Sequence, residues 1–226
     1  MNGKYITALV PMKGVSERVK NKNLRNFCGR PLMCIILNIL SDIDFINKIV
    51  VNTDSEKIKN IALQYKKVII HDRPESICGN HVPMNSIIEY DISKLNSEYF
   101  LQTHTTNPLL SKKSICAAFN RYFDNLDNFD SLLSVTECKQ RYYDVNYNPI
   151  NHNPKVLLNT QDLIPIYEEN SCFYFFSKKS FNINKNRIGL HPQFYILPQS
   201  ESYDIDTEED FLIAEKIFFE RNKKWR

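Results

Sequence analysis

Apolar residues along this chain fall into short runs, and unbroken runs alternate with helically spaced ones. Residues 5–11 form an apolar, β-rich run that stops abruptly, the pattern of a strand covered on both faces. Residues 31–40 read as a helix with Pro31 in its first turn. A second apolar run, 48–52, ends in Thr53-Asp54-Ser55-Glu56, which supplies an N-cap for a helix to residue 65. The spacing then predicts a strand at 68–71, a Pro- and Gly-containing loop at 72–83 and a helix over 84–93. A strand at 99–102 and a helix over 112–123 follow. Strands alternating with helices at this interval imply right-handed βαβ units, a mostly parallel sheet and an α/β fold.

The rhythm breaks after Val135. Residues 137–170 are rich in Tyr, Asn and Pro and read as extended segments and turns, inserted as a lid over a site or as a dimerisation arm. Tyr142, Tyr143, Tyr147 and Tyr167 suit a partly polar interface. A strongly apolar strand returns at 171–177, a short strand occupies 194–198, and Asp206 and Thr207 open an amphipathic helix to residue 221. With no repeat and no low-complexity segment, the 226 residues read as one domain, 1–226, carrying the 137–170 insertion.

Composition narrows the classes. A hydrophobic content of 42% with 24% charged residues is that of an ordinary globular protein, and a net charge of +3 spread along the chain carries no nucleic-acid signature. No apolar run approaches the ~20 residues of a membrane span, and no signal-peptide pattern opens the chain. The six cysteines (Cys28, Cys34, Cys78, Cys116, Cys138 and Cys172) include no C-x-x-C pair. Free thiols among apolar neighbours point to a reducing, cytoplasmic setting.

Candidate chemistry concentrates in two places. The first strand runs into a loop carrying Lys13, Arg18, Lys20 and Lys22 together with Gly14, Ser16, Asn21 and Asn23. A buried strand leading into a cationic loop and then a helix is how α/β proteins build phosphate sites. A merely solvated basic loop is the alternative, but the first strand–loop crossing is where open α/β sheets place ligands. The second place is Asp204-Ile205-Asp206-Thr207. In an extended segment Asp204 and Asp206 share a face, and two such carboxylates suit Mg²⁺ (or Mn²⁺ in its place), completed by waters and substrate phosphates. The competing reading is that Asp206 or Thr207 caps the last helix with Glu209 or Asp210 closing a capping box; both readings hold if Thr207 caps while the aspartates face a cleft. Gln102 ends a strand at the expected ligand edge. His104, in a Thr-rich loop, either contacts a substrate, serves as a general base, or bonds to neighbouring hydroxyls. His71, His81, His152 and His191 lack metal-ligand spacing.

These blocks carry a family resemblance. Lys13 to Asn23 resembles the R-x-G-S-K-x-x-x-K-N signature of the CMP-sugar synthetases, the acylneuraminate cytidylyltransferases and their CMP-Kdo synthetase cousins. Val50 to Glu56 resembles V-S-T-D-S-E, Arg73-Pro74 resembles R-P-x-x-L-A, Gln102 to Leu109 resembles Q-P-T-S-P-L, and Asp204 to Thr207 matches D-I-D-T. The likeness runs in order from residue 6 to residue 214. It implies a three-layer α/β/α, Rossmann-like nucleotidyltransferase (GT-A-like) fold and a homodimer built through the insertion. It also implies Mg²⁺-dependent transfer of CMP from CTP to a small acidic sugar for surface glycans, with release of pyrophosphate. CTP would contact Lys13, Gly14, Ser16, Arg18, Lys22, Asn23 and, at the cytosine, Arg73. Lys13, Lys22 and Asp206 would be catalytic, Asp204 and Asp206 would hold the metal, and Gln102, His104, Arg141 and Asn170 would face the second substrate. Arg141 reads equally as a surface arginine packed on Tyr142 and Tyr143.

The departures from the family are specific. Lys13 stands for an arginine and offers a point charge without a bidentate fork. Val15 stands for a glycine and removes a permissive backbone position. Glu17 stands for a lysine. The Gln102 block is one residue longer and contains a histidine, and N-G-A-I-Y becomes Glu169-Asn-Ser-Cys-Phe-Tyr174. The nucleotide half therefore follows the family more closely than the sugar half. This leaves open a phosphonate or sugar-phosphate substrate, or a degenerate nucleotide-binding module without catalysis. Lys22, Asn23, Asp204 and Asp206 speak for catalysis.

Overall fold

The computed structural model describes residues 4–223, so the predicted domain limits, 1 and 226, lie outside the described residues. The elements run β1 (Ile6–Pro11), β2 (Asn26–Phe27), β3 (Arg30–Pro31), α1 (Met33–Ser41), β4 (Ile46–Thr53), α2 (Glu56–Ala62), β5 (Val68–Asp72) and α3 (Met84–Ser93). They continue with β6 (Tyr99–Thr103), α4 (Lys112–Asp124), β7 (Ser131–Cys138), β8 (Ile166–Ser177), α5 (Lys178–Asn184), β9 (Pro192–Ile196) and α6 (Glu208–Lys223).

One seven-stranded sheet has the order β5-β4-β1-β6-β8-β7-β9. Strands β5, β4, β1 and β6 are parallel; β8 runs antiparallel to both β6 and β7, and β9 is parallel to β7. The sheet is thus mostly parallel, with β8 reversed. Its faces are sorted by alternation along the strands. Ala8, Val10, Ile49 and Val51 pack with α1, α2 and α4, whereas Leu9, Val50, Phe100 and Phe176 pack with α3 and with Phe181 of α5. Burial on both faces explains why β1 reads as an apolar run, and it makes the fold three layers, helix–sheet–helix.

A third apolar cluster positions the chemistry. Val19 in the cationic loop and Ile205 between the two aspartates are both fully buried, packed with Phe27, Leu32 and Ile35 and with Phe211 and Ala214 of α6. The polar segments that carry the charges are held together by a buried hydrophobic residue inside each.

Some boundaries differ from the sequence expectations. Pro31 sits in the β2–β3 bridge, and α1 starts at Met33. Helix α2 ends at Ala62 rather than residue 65, with Ser55 accepting from the Ile58 amide as its cap. The apolar strand begins at Ile166, so residues 166–170 of the expected insertion belong to the sheet. Helix α5, capped by Ser177, carries no strong signal of its own. The cysteines are free, with Cys34 and Cys172 buried and the others half-buried. No helix among the described residues is long and apolar enough to cross a membrane.

Candidate active site

The carboxyl ends of β1, β4 and β6 lie side by side, and the chain leaves β1 toward β4 on one side while β6 pairs on the other. This is the switch point at which open α/β sheets bind ligands. The cationic loop starts there. Its Gly14 amide donates to Asp54 Oδ1 at the end of β4 (2.6 Å), and a Cβ on Gly14 would lie 2.8 Å from Ser55 Cβ. Glycine is required by this close approach. Ser16 Oγ accepts the Lys22 amide (2.9 Å), tying the two ends of the loop. Asn23 is buried, donates to the Lys13 carbonyl (2.9 Å) and accepts from Thr105 Oγ1 (2.6 Å), joining the loop to the segment after β6.

The departures from the family pattern belong to one arrangement. Lys13 Nζ donates to Asn80 Oδ1 (2.6 Å), and Asn80 Nδ2 donates to Glu17 (2.6 Å). Asn80, in the loop after β5, thereby closes over the cationic loop and uses the very residues that differ. Val15 is exposed and is not among the residues with positive φ, so its side chain strains nothing.

The two aspartates meet these cations. Lys22 Nζ donates to the Ile205 carbonyl (2.5 Å), and Arg18 pairs with Asp206 (3.0 Å). Burial pushes the Lys22 ammonium down from its ordinary range, while Asp204 and Asp206 pull it back up. Burial also raises the Asp204 carboxyl; a Thr106 hydrogen bond and Lys22 oppose this, and the Asp206 charge adds to it. Two carboxylates set two residues apart on one side of a half-buried cleft form a donor set suited to a divalent cation. No group of three or more His, Cys, Asp or Glu residues gathers as a complete metal cage among the described residues. Both aspartates line a cleft of about 570 Å³ whose far wall includes Thr136, Glu169, Asn170 and Ser171. Thr207 and Asp210 exchange capping-box bonds at the start of α6, so the cap and the facing aspartates coexist.

Arg73 is held inward. Its Nε donates to Asn52 Oδ1 (2.7 Å) and its Nη2 to the Asn52 carbonyl (3.0 Å), and burial lowers its proton affinity. Asn52 in turn donates to buried Asp91 (2.7 Å), which also meets His71 Nδ1 (2.8 Å).

The predicted residues for the second substrate separate. Asn170 lines the cleft but is buried, accepting from Ser134 Oγ (2.6 Å) and donating to Thr136 Oγ1 (3.1 Å). Arg141 does not converge on the site: it is exposed in the insertion, outside the residues lining the cleft, and donates to the Leu158 carbonyl (2.6 Å). Gln102 and His104 also lie outside the lining of this cleft: Gln102 is buried, and His104 bonds to it rather than to neighbouring hydroxyls (2.9 Å). Burial, with Arg187 and Lys22 nearby, pushes the His104 imidazole down to about 3, which removes it as a general base at neutral pH. Arg187 itself, stacked on the Tyr174 ring and donating to Gln102 (2.6 Å), carries no sequence signal, nor does Asn80; Thr105 lies within the Gln102–Leu109 block.

A strand-end cationic cradle opposite an Asp-x-Asp pair defines a nucleotidyltransferase. The cytidylyltransferase family model matches residues 7–224, and this chain belongs to that family. It is 25% identical over 227 residues to a pseudaminic acid cytidylyltransferase of Campylobacter jejuni, covering 95% of this chain and 96% of that one. It is 24% identical to an N-acylneuraminate cytidylyltransferase of Escherichia coli, covering 97% of this chain and 53% of that one. The fold matches that of a CMP:2-keto-3-deoxy-manno-octonic acid synthetase complexed with CTP, with a TM-score of 0.67 and 10% identity over 97% of this chain and 100% of that one.

Proposed function

We propose that this protein transfers CMP from CTP to a small acidic sugar of the sialic, pseudaminic or related 3-deoxy-ulosonic class, releasing pyrophosphate. The observation that carries the reading is the packing of Val19 against Ile205, which sets Arg18 and Lys22 beside Asp204 and Asp206 at the switch point. The relatives named for pseudaminic and acylneuraminic acids supply the substrate class.

In this reading Lys13, Gly14, Ser16, Arg18 and Lys22 cradle the triphosphate, Asn23 sits by the nucleoside and Arg73 by the base. Asp204 and Asp206 hold Mg²⁺, which when bound neutralises phosphate charge and polarises the reacting oxygens. A sugar hydroxyl oxygen attacks the α-phosphorus in line and the bond to the β-phosphate oxygen breaks. Pyrophosphate departs onto Lys13 and Lys22, and the hydroxyl proton leaves to solvent. Catalysis is positioning and charge neutralisation, with no covalent enzyme intermediate. The protein works as a homodimer through residues 139–165, in a reducing cytoplasm that suits its free thiols.

The test is pyrophosphate release from CTP and Mg²⁺ across a panel of nonulosonic and octulosonic acids, phosphonates and sugar phosphates. Turnover with one or more sugar acids supports the reading. CTP binding without turnover on any member would overturn it in favour of a binding module.

A further inference from the structure

Three polar side chains beside the phosphate cradle form a chain of hydrogen bonds with only one self-consistent direction. Arg187 Nη1 lies 2.6 Å from Gln102 Oε1, and a guanidinium can only donate, so the amide oxygen must face it. The Gln102 amide nitrogen then faces the Thr103 carbonyl (3.2 Å) and His104 Nε2 (2.9 Å). An amide NH₂ has no lone pair to offer, so His104 Nε2 must accept. An imidazolium would set two N–H groups head to head at this contact. The ring is therefore neutral, with its proton on Nδ1, and Nδ1 has no protein partner among the described residues. His104 is half-buried, and its unpartnered Nδ1 is not sealed from solvent, so the proton is open to a ligand.

The anchor of the chain is firmly held. Arg187 stacks on the Tyr174 ring with its guanidinium carbon 3.6 Å from the centroid, and its side chain is 15% exposed. Glu169 stands 3.9 Å away, and the Tyr174 hydroxyl donates to that same carboxylate. Burial depresses Arg187 while Tyr174 and Glu169 sustain it, and a guanidinium keeps its charge throughout. Two cations, Arg187 and Lys22, thus act on the His104 ring.

We infer that Arg187 is a positioning residue which, through Gln102, holds His104 as the neutral Nδ1–H tautomer, a hydrogen-bond donor to an oxygen of an anionic second substrate. The substrate part of this inference rests on the proposed function; the tautomer does not. The flanking cations favour an anion at the ring, and the relay gives that anion a directed donor.

Long-range ¹H–¹⁵N correlation of the ring nitrogens in the free enzyme, with His104 assigned by its absence in His104→Ala, reads the tautomer directly. A protonated Nδ1 in the wild type is the expected result, and a protonated Nε2 would overturn the inference. Arg187→Met should mix the tautomers and Arg187→Lys should restore Nδ1–H; an unchanged spectrum in Arg187→Met would remove Arg187 from the relay. In kinetics, Arg187→Met and His104→Ala should raise KM for the sugar acid about 10-fold or more, consistent with loss of a hydrogen bond to a charged group, with KM for CTP held within about twofold. His104→Asn, whose amide N–H can stand in for Nδ1–H but which leaves the Gln102 amide without its acceptor, should recover only part of the sugar-acid KM lost in His104→Ala. A His104→Ala enzyme with unaltered sugar KM would refute the donor role. If no sugar acid turns over at all, the proposed function fails while the tautomer measurement still decides the relay.

Discussion

At the scale of single residues, the site combines opposed charges with few spare partners. Lys22 reaches the Ile205 carbonyl from the loop after β1, under the pull of Asp204 and Asp206. Lys22→Ala should lower kcat by about 10²–10³-fold, the usual cost of a lost transition-state donor, with far-UV circular dichroism unchanged. Near-wild-type turnover would withdraw Lys22 from the triphosphate. Asp204 shows a trade between stability and function. Its folded-state pKa is raised, so the metal-free protein loses stability as pH climbs from the unfolded carboxylate value through the folded one. At neutral pH the metal-free enzyme therefore carries a penalty that Asp204→Asn should remove. A scan in EDTA is expected to show a Tm higher by roughly 1–3 °C, together with loss of Mg²⁺-dependent turnover. A lower Tm in EDTA would show that the buried carboxylate is already compensated.

At the scale of elements, local signals and packing divide the work. The helix over Met84–Ser93 was legible to the residue because its apolar spacing and the preceding Pro83 are local. Helix α5 was not, since its seven residues hold only two buried side chains, Ser180 and Phe181. Its start depends on Ser177 Oγ accepting the Ser180 amide (3.0 Å). Ser177→Ala should cost about 1 kcal/mol in urea unfolding and leave CTP affinity unchanged. The β8 start escapes the sequence pattern for a different reason. Residues 166–169 pair with β7, but Tyr167, Glu168 and Glu169 are exposed, so their strand character comes from a neighbouring backbone and not from an apolar pattern.

At the scale of the whole molecule, residues 139–165 present Tyr143, Val145, Tyr147, Leu157 and Ile164 to solvent. Their base is pinned by buried Asn151, which donates to the Gln140 and Ile164 carbonyls (2.7 and 3.0 Å). An ordered base below an apolar tip is the form of an association arm. Wild-type protein at micromolar concentration should sediment as a dimer, and Leu157→Glu together with Val145→Glu, at positions 90% and 92% exposed, should yield a folded monomer. A monomeric wild type would exclude this role.

The sequence alone determined the βαβ order, the cationic loop, the aspartate pair and the family, because hydrophobic period and motif spacing are local quantities. It could not determine which polar atoms meet. Lys13 and Asn80 are 67 residues apart and Gln102 and Arg187 are 85, so no window along the chain contains either bond. Arg141 illustrates the converse: a family position was legible, yet the folded chain holds its guanidinium in the insertion. Partners, protonation states and tautomers follow from distances that exist only after the sheet has brought distant segments together and burial has removed the competing water.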